Sequence, residues 1–234
     1  VNAGSVVLLS GGQDSTTCLH FALREWGRPL HALFIDYHQR HWVEATSARR
    51  VARAIKVDAF QGETLGAQGL GLRSALTSKD GEVTIENVVV EGRNAMFLTI
   101  ASAYAKAHEL GRVVIGCGAD DHAAFPDCRP KFITAMERAL LIGLEYHFRI
   151  EAPLVQLPKA AIVRLARELG PECWQALTDT WTCYDPQKTG PRIHEVRSCG
   201  TCPACVLRRK GFDEAGEEDP HVPRVADLHV RGRA

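Results

Sequence analysis

The stretch Ser5-Val6-Val7-Leu8-Leu9-Ser10-Gly11-Gly12-Gln13-Asp14-Ser15-Thr16 decides how the rest of the chain is read. Val6 to Leu9 are uninterruptedly apolar, the pattern of a strand covered on both faces, where a strand covered on one face would alternate. Ser-Gly-Gly then turns the chain, and from Asp14 to Trp26 the apolar residues recur at helical spacing. Leu30 to Asp36 (LHALFID) repeats the strand pattern, and Trp42 to Ile55 repeats the helix pattern, with Arg49, Arg50 and Arg53 on a solvated face. Two successive strand-helix units imply a parallel sheet, because parallel neighbours need a crossover between them.

Working outward, Gln61 to Asn87 is rich in Gly, Ser and Thr with little periodicity and reads as a long surface insertion. Ala95 to Leu110 reads as a helix, Arg112 to Cys117 as a strand, and Pro130 to Leu144 as a helix. Phe148 to Ile150 reads as a short strand, and Lys159 to Leu169 as a helix ended by Gly170-Pro171. The fold expected is a doubly wound parallel α/β sheet. Past Pro171 the periodicity fades and cysteines gather, so residues 1–170 are expected to form the main domain. Residues 171–234 are expected to form a small metal-binding segment packed on it, ending in a charged tail from Glu214 with little to bury. No internal repeat or low-complexity block is present.

Among 234 residues, 28 Lys and Arg balance 28 Asp and Glu, so no global field draws the chain to nucleic acid or an anionic membrane. The first ten residues carry neither a basic leader nor a small-residue cleavage site, and no run approaches bilayer length; the expectation is a cytoplasmic protein. Of eight cysteines, Cys18, Cys117, Cys128 and Cys173 are dispersed, and Cys18 and Cys173 read as ordinary buried thiols. The other four cluster, which favours a metal over disulfides.

Ser10 to Thr16 lies at the carboxyl end of the first strand and opens the first helix, the place where open α/β sheets bind ligands. Glycines let the backbone approach an anion, helix N–H groups point at it, and hydroxyls add donors. The Gly-Lys-Ser/Thr ending of a Walker loop and the G-x-G-x-x-G spacing of a dinucleotide site are both missing. A turn capped by Ser or Asp is the plain alternative. Cys199, Cys202 and Cys205 form C-x-x-C-x-x-C, with Cys183 upstream across a turn-rich segment containing Pro186, Gly190 and Pro191. Four thiolates close a tetrahedral zinc site, with Gly200 and Pro203 suited to the turns that aim the sulfurs. Four protein ligands leave no open position, so such an ion staples the segment and does no chemistry. An iron–sulfur cluster or reduced core thiols are the alternatives.

The Ser10-Gly11-Gly12-Gln13-Asp14-Ser15 loop resembles the SGGxDS loop of the ATP-pyrophosphatase, or PP-loop, superfamily. Further stretches occur in the order of the 7-cyano-7-deazaguanine synthase family: Asp36-Tyr37-His38-Gln39-Arg40-His41 with Glu44; Gly92-Arg93-Asn94 with Phe97-Leu98; Pro126-Asp127-Cys128-Arg129-Pro130; Thr182-Cys183-Tyr184; and Cys199 to Cys205. The chain is similar to that family from about Val6 to Phe212. It departs at His38, where glycine is usual, at Glu91, where proline is usual, and at Phe125, where tyrosine is common; His38 and Glu91 are expected near strand ends where ligands bind.

The resemblance implies an ATP-dependent C–N ligase that converts 7-carboxy-7-deazaguanine and ammonia to the nitrile through an adenylate and an amide. It implies nucleotide contacts from Ser10, Gly11, Gly12, Gln13, Asp14, Ser15, Thr16, Arg93 and Asn94, with Asp14 placing Mg2+. Ser10, Asp14, Ser15 and Lys159 are implied as catalytic, Lys159 as a second phosphate contact. Arg93, Asp127 and Arg129 are implied as substrate contacts, and Cys183, Cys199, Cys202 and Cys205 as Zn2+ ligands. No histidine is assigned a catalytic role. Small molecules are the expected partners, and a symmetric homodimer is common at this size. Two rivals stand beside this reading. One is a related adenylating enzyme with another acceptor, either base thiolation through Cys117 or Cys128 or deazaguanine-amide conjugation. The other is a non-catalytic zinc-bearing nucleotide- or RNA-binding module using Arg192, Arg197, Arg208, Arg209 and Lys210.

Overall fold

A computed structural model describes residues 2–65, 74–78, 81–190 and 196–221. Five parallel strands form the central sheet: β1 (Ser5–Leu8), β2 (Leu30–Asp36), β3 (Ala59–Thr64), β4 (Arg112–Val114) and β5 (Arg149–Glu151), in the order β3-β2-β1-β4-β5. The helices are α1 (Gln13–Trp26), α2 (Val43–Ile55), α3 (Arg93–Ala107), α4 (Pro130–Leu144), α5 (Lys159–Glu168), α6 (Pro171–Ala176) and α7 (Pro203–Ala215); β6 (Gln187–Lys188) and β7 (Val196–Arg197) make a small antiparallel pair. The sheet is doubly wound, and its strand order reverses between β1 and β4.

The side-chain period of two in β1 explains both layers. Val6 and Leu8 join Leu33, Ile35, Val113 and Ile150 under α3 and α4, burying Leu98, Ala101 and Ile133. Val7 and Leu9 join Ala32, Phe34 and Val114 under α1, α2 and α5, burying Leu19, Val51 and Ile162. Each fully buried aliphatic side chain contributes about 2 kcal/mol, so the strand carrying the phosphate-type loop is anchored from both sides. Cys18 and Cys173 are fully buried thiols, as expected.

Three expectations need correction. The insertion does not begin at Gln61: Ala59–Thr64 pairs with β2 through Asp36↔Thr64 as an edge strand. Its next described part is also not wholly superficial, because Leu76, Val88 and Val90 are buried against Tyr37; residues 66–73 and 79–80 lie outside the described residues. The region after Pro171 contains two helices, with α7 running along α5. Finally, the tail has something to bury: Asp219 forms a buried ion pair with Arg208, and His221 meets the Trp181 ring edge-on at 5.7 Å. The rest of the tail, 222–234, lies outside the described residues, as does Arg192. Among the described residues no helix is long and apolar enough to cross a membrane.

Candidate active site and cysteine centre

At the strand-order reversal, the loops after β1 and β4 open into a cleft of about 200 Å³. Ser10, Gly12, Gln13, Asp14 and Ser15 line it from one side, with Arg93, Asn94, Cys117, Asp121, Lys159 and Tyr184 among the residues around them. Gly11 has φ +83°, and a Cβ there would stand 2.5 Å from Ala48 N, so the loop tolerates no side chain. Gly12 N donates to Ser10 Oγ at 3.2 Å, the Ser10 and Ser15 hydroxyls meet at 3.1 Å, and Ser15 Oγ donates to Gly12 O at 3.1 Å. The first intrahelical bond of α1 is Thr16 N to Gly12 O, which leaves the N–H groups of Gln13, Asp14 and Ser15 without a carbonyl one turn earlier.

Several side-chain atoms here are buried with no partner among the described residues: both polar atoms of Gln13, Asp14 Oδ1 and Thr16 Oγ1. Native interiors rarely leave such atoms unsatisfied, and four at one helix N-terminus fit an anionic, magnesium-bearing ligand. Lys159, the first residue of α5, reaches across and donates from Nζ to Asp14 Oδ2 at 2.6 Å. Burial works against its charge, but Asp14 and Asp121 outweigh it and its pKa is raised. Burial raises the Asp121 pKa, which Lys159 opposes and Asp14 reinforces.

The far wall is aromatic and basic. Arg93 Nη1 donates to Tyr37 Oη at 3.4 Å, and its guanidinium sits 5.8 Å from the Tyr37 ring centre. Burial pushes the Tyr37 phenol up to about 12, and Arg93 opposes that rise. His41 Nε2 lies 3.2 Å from Glu44 Oε2, and Gln39 Nε2 donates to the same oxygen at 3.4 Å. Asp121 and Trp181 lie in none of the stretches that carry the resemblance, and neither composition nor periodicity detects them.

Asp127 and Arg129 are not among the lining residues. Asp127 Oδ2 accepts from Asn94 N at 3.0 Å, and Asn94 Nδ2 donates to Asp127 O and Cys128 Sγ, so this pair ties the 126–128 turn to the start of α3. Arg129 is exposed and donates to His122 O at 2.8 Å. His38 and Glu91 are exposed and do not line the cleft, so neither departure touches it; Phe125 does. His38 has φ +62°, a left-handed conformation that suits glycine, and Asp36 Oδ1 accepts from its N–H at 2.8 Å.

The Sγ atoms of Cys183, Cys199, Cys202 and Cys205 all lie within 4.8 Å of one another. A zinc–sulfur bond of about 2.3 Å places tetrahedral sulfurs about 3.8 Å apart, so the four thiols are arranged to bind one metal ion. The segment also touches the phosphate-type loop: Trp181 N donates to Gly11 O at 2.8 Å, and Trp181 Nε1 to Cys183 O at 2.8 Å. Arg208 is 5% exposed and donates to Thr180 and Thr182 Oγ1, both at 2.9 Å, and to both carboxylate oxygens of Asp219. It is a buried brace and cannot serve a surface basic patch.

The family described as "Queuosine biosynthesis protein QueC" matches residues 4–216. The chain is 40% identical over 234 residues to the 7-cyano-7-deazaguanine synthase of Laribacter hongkongensis, covering 96% of each protein. It is 42% identical to the 7-cyano-7-deazaguanine synthase of an Anaeromyxobacter species, covering 92% of this chain and 94% of that one. To the protein of that name from Anaeromyxobacter dehalogenans it is 43% identical, with 92% and 94% covered. With a doubly wound sheet, a phosphate-type loop at its reversal point and a four-cysteine centre beside it, the chain belongs to the QueC family of queuosine biosynthesis enzymes.

Proposed function

We propose that the chain converts 7-carboxy-7-deazaguanine and ammonia to 7-cyano-7-deazaguanine at the expense of two ATP. The observation that carries this reading is the set of buried donors and acceptors on Gln13 and Asp14 that lack a partner among the described residues, lining the same cleft as Arg93 in a chain of this family. A carboxylate is a poor electrophile because its leaving group would be oxide. Its oxygen attacks the α-phosphorus of ATP, pyrophosphate leaves, and ammonia then displaces AMP to give the amide with loss of a proton. The amide oxygen is adenylated in turn by a second ATP with loss of one N–H proton, pyrophosphate leaves, and departure of AMP with the other N–H proton leaves the nitrile.

The N–H groups of Gln13, Asp14 and Ser15, the hydroxyls of Ser10, Ser15 and Thr16, and the Lys159 ammonium serve the departing pyrophosphate. Asp14 Oδ1, with no partner among the described residues, suits Mg2+, which when bound neutralises phosphate charge. Arg93 offers its fork to the substrate carboxylate or the nucleotide. Asn94 and Asp127 together hold the turn at 126–128 against the start of α3, and Arg129 braces that turn through His122 O. Zinc, held by Cys183, Cys199, Cys202 and Cys205, serves structure; the close approach of the thiols favours one ion over a wider iron–sulfur cluster. Thiolation through Cys128 is disfavoured because a hydrogen bond with Cys117, and burial, hold its thiol protonated.

The test is incubation of metal-loaded protein with Mg-ATP, 7-carboxy-7-deazaguanine and ammonium, following pyrophosphate, AMP and product mass. Nitrile with two AMP per product is expected; no substrate-dependent pyrophosphate from folded protein would sink the substrate assignment.

A further inference from the structure

Gly211 sits inside α7, where glycine destabilises a helix by about 1 kcal/mol relative to alanine. A Cβ built at Gly211 would overlap Lys159 Cγ and stand 3.0 Å from Lys159 Cβ. The Lys159 side chain is fixed at both ends of this contact. Its backbone N donates to Asp120 Oδ2 at 2.6 Å, which holds the start of α5, and its Nζ donates to Asp14 Oδ2 at 2.6 Å. The stem therefore has one route from α5 to the phosphate-type loop, and that route runs over the bare backbone of α7. Cys205, Arg208 and Gly211 recur at every third position of α7 and are all buried. The first offers a thiol to the metal, the second holds Thr180 and Thr182, and the third borders Lys159.

We propose that Gly211 is a positioning residue: by lacking a side chain it lets the Lys159 stem lie against α7 and carry the ammonium to Asp14. The inference rests on the role given to Lys159 above. Methyl addition at 211 displaces the stem, so the ammonium moves off the loop although the helix itself gains propensity.

The experiment compares metal-loaded Gly211→Ala, Lys159→Ala and the double variant with the parent. It measures kcat and KM for pyrophosphate release, ATP affinity by calorimetry, and the thermal midpoint. For Gly211→Ala the expected result is a kcat roughly ten-fold or more lower, KM for the deazaguanine acid within about two-fold, and an undiminished thermal midpoint. In the Lys159→Ala background the same change is expected to lower kcat by less than about two-fold, because Cγ and the ammonium it carries are gone and only the 3.0 Å approach to Cβ remains. Parent-like kcat in Gly211→Ala, or a further loss of the same size in the double variant, overturns the proposal. Should Gly211→Ala fail to fold, folding of the double variant supports the stem contact, and failure of both overturns it. Full activity of Lys159→Ala removes the role of Lys159 itself, whereas loss there beside an intact Gly211→Ala removes only the positioning.

Discussion

In β1 and α1, Val7, Leu9, Cys18 and Leu19 meet strand and helix neighbours across a continuous apolar layer. In the stretch from Thr180 to Gly216 the corresponding inner positions are Cys183, Cys202, Cys205, Arg208 and Gly211, with Phe212 as the one large apolar side chain of α7 buried. The sheet side is held by area removed from water, a non-directional term spread over many residues. The cysteine side depends on a few directional contacts, each of which can be removed singly. One half should therefore fail gradually and the other abruptly.

The largest effect that separates the halves is metal removal. Structural zinc sites contribute apparent free energies on the order of 10 kcal/mol, so chelation is expected to release the cysteine segment while leaving the sheet folded. Limited trypsin digestion should then cut after Arg197 and Arg209 on the order of 100-fold faster, with Ser5–Asp36 and Arg112–Glu151 still protected. Equal protection before and after chelation would break the comparison. Next is Arg208→Met, which strands the Asp219 carboxylate at 10% side-chain exposure and is expected to cost about 3–5 kcal/mol in a urea titration. A change below about 1 kcal/mol would show that Asp219 turns to solvent instead.

The smallest effect belongs to the sheet side. His20 on α1 is 9% exposed, its Nε2 has no partner among the described residues, and burial lowers its pKa to about 4. A neutral buried histidine contributes fully above its unfolded value of about 6.5; as pH falls below that, the unfolded chain takes a proton that the folded chain refuses. Stability should therefore fall by about 2 kcal/mol between pH 7.5 and pH 5, and His20→Leu should flatten that slope. An unchanged slope in the variant would place the acid sensitivity elsewhere.

The same contrast explains what was readable in the residues. β1, β2 and the helices between them follow from apolar runs and helical spacing because burial on the sheet is what orders them. α7 escapes that reading because its inner face is made of cysteine, arginine and glycine, none of which registers as an apolar stripe. β3 escapes because an edge strand with Gln61 to Thr64 exposed has little to hide. Of the site, the glycine loop and the cysteine spacing are local and stand out. The pairing of Lys159 with Asp14, the place of Asp121 and the seat of Trp181 join residues far apart in the chain, and only the fold brings them together. His38 shows the converse: a departure that looked chemical is a matter of backbone φ at an exposed position.

The hydrogen bond from Trp181 N to Gly11 O spans 170 positions of sequence. Synthesis proceeds at roughly 5–20 residues per second, so the five strands are all outside the ribosome for seconds before that donor emerges. A nascent chain can thus own a finished sheet and an unfinished loop. A chain that stops short of Trp181 carries the five strands without the donor that ties Gly11 O to the cysteine side.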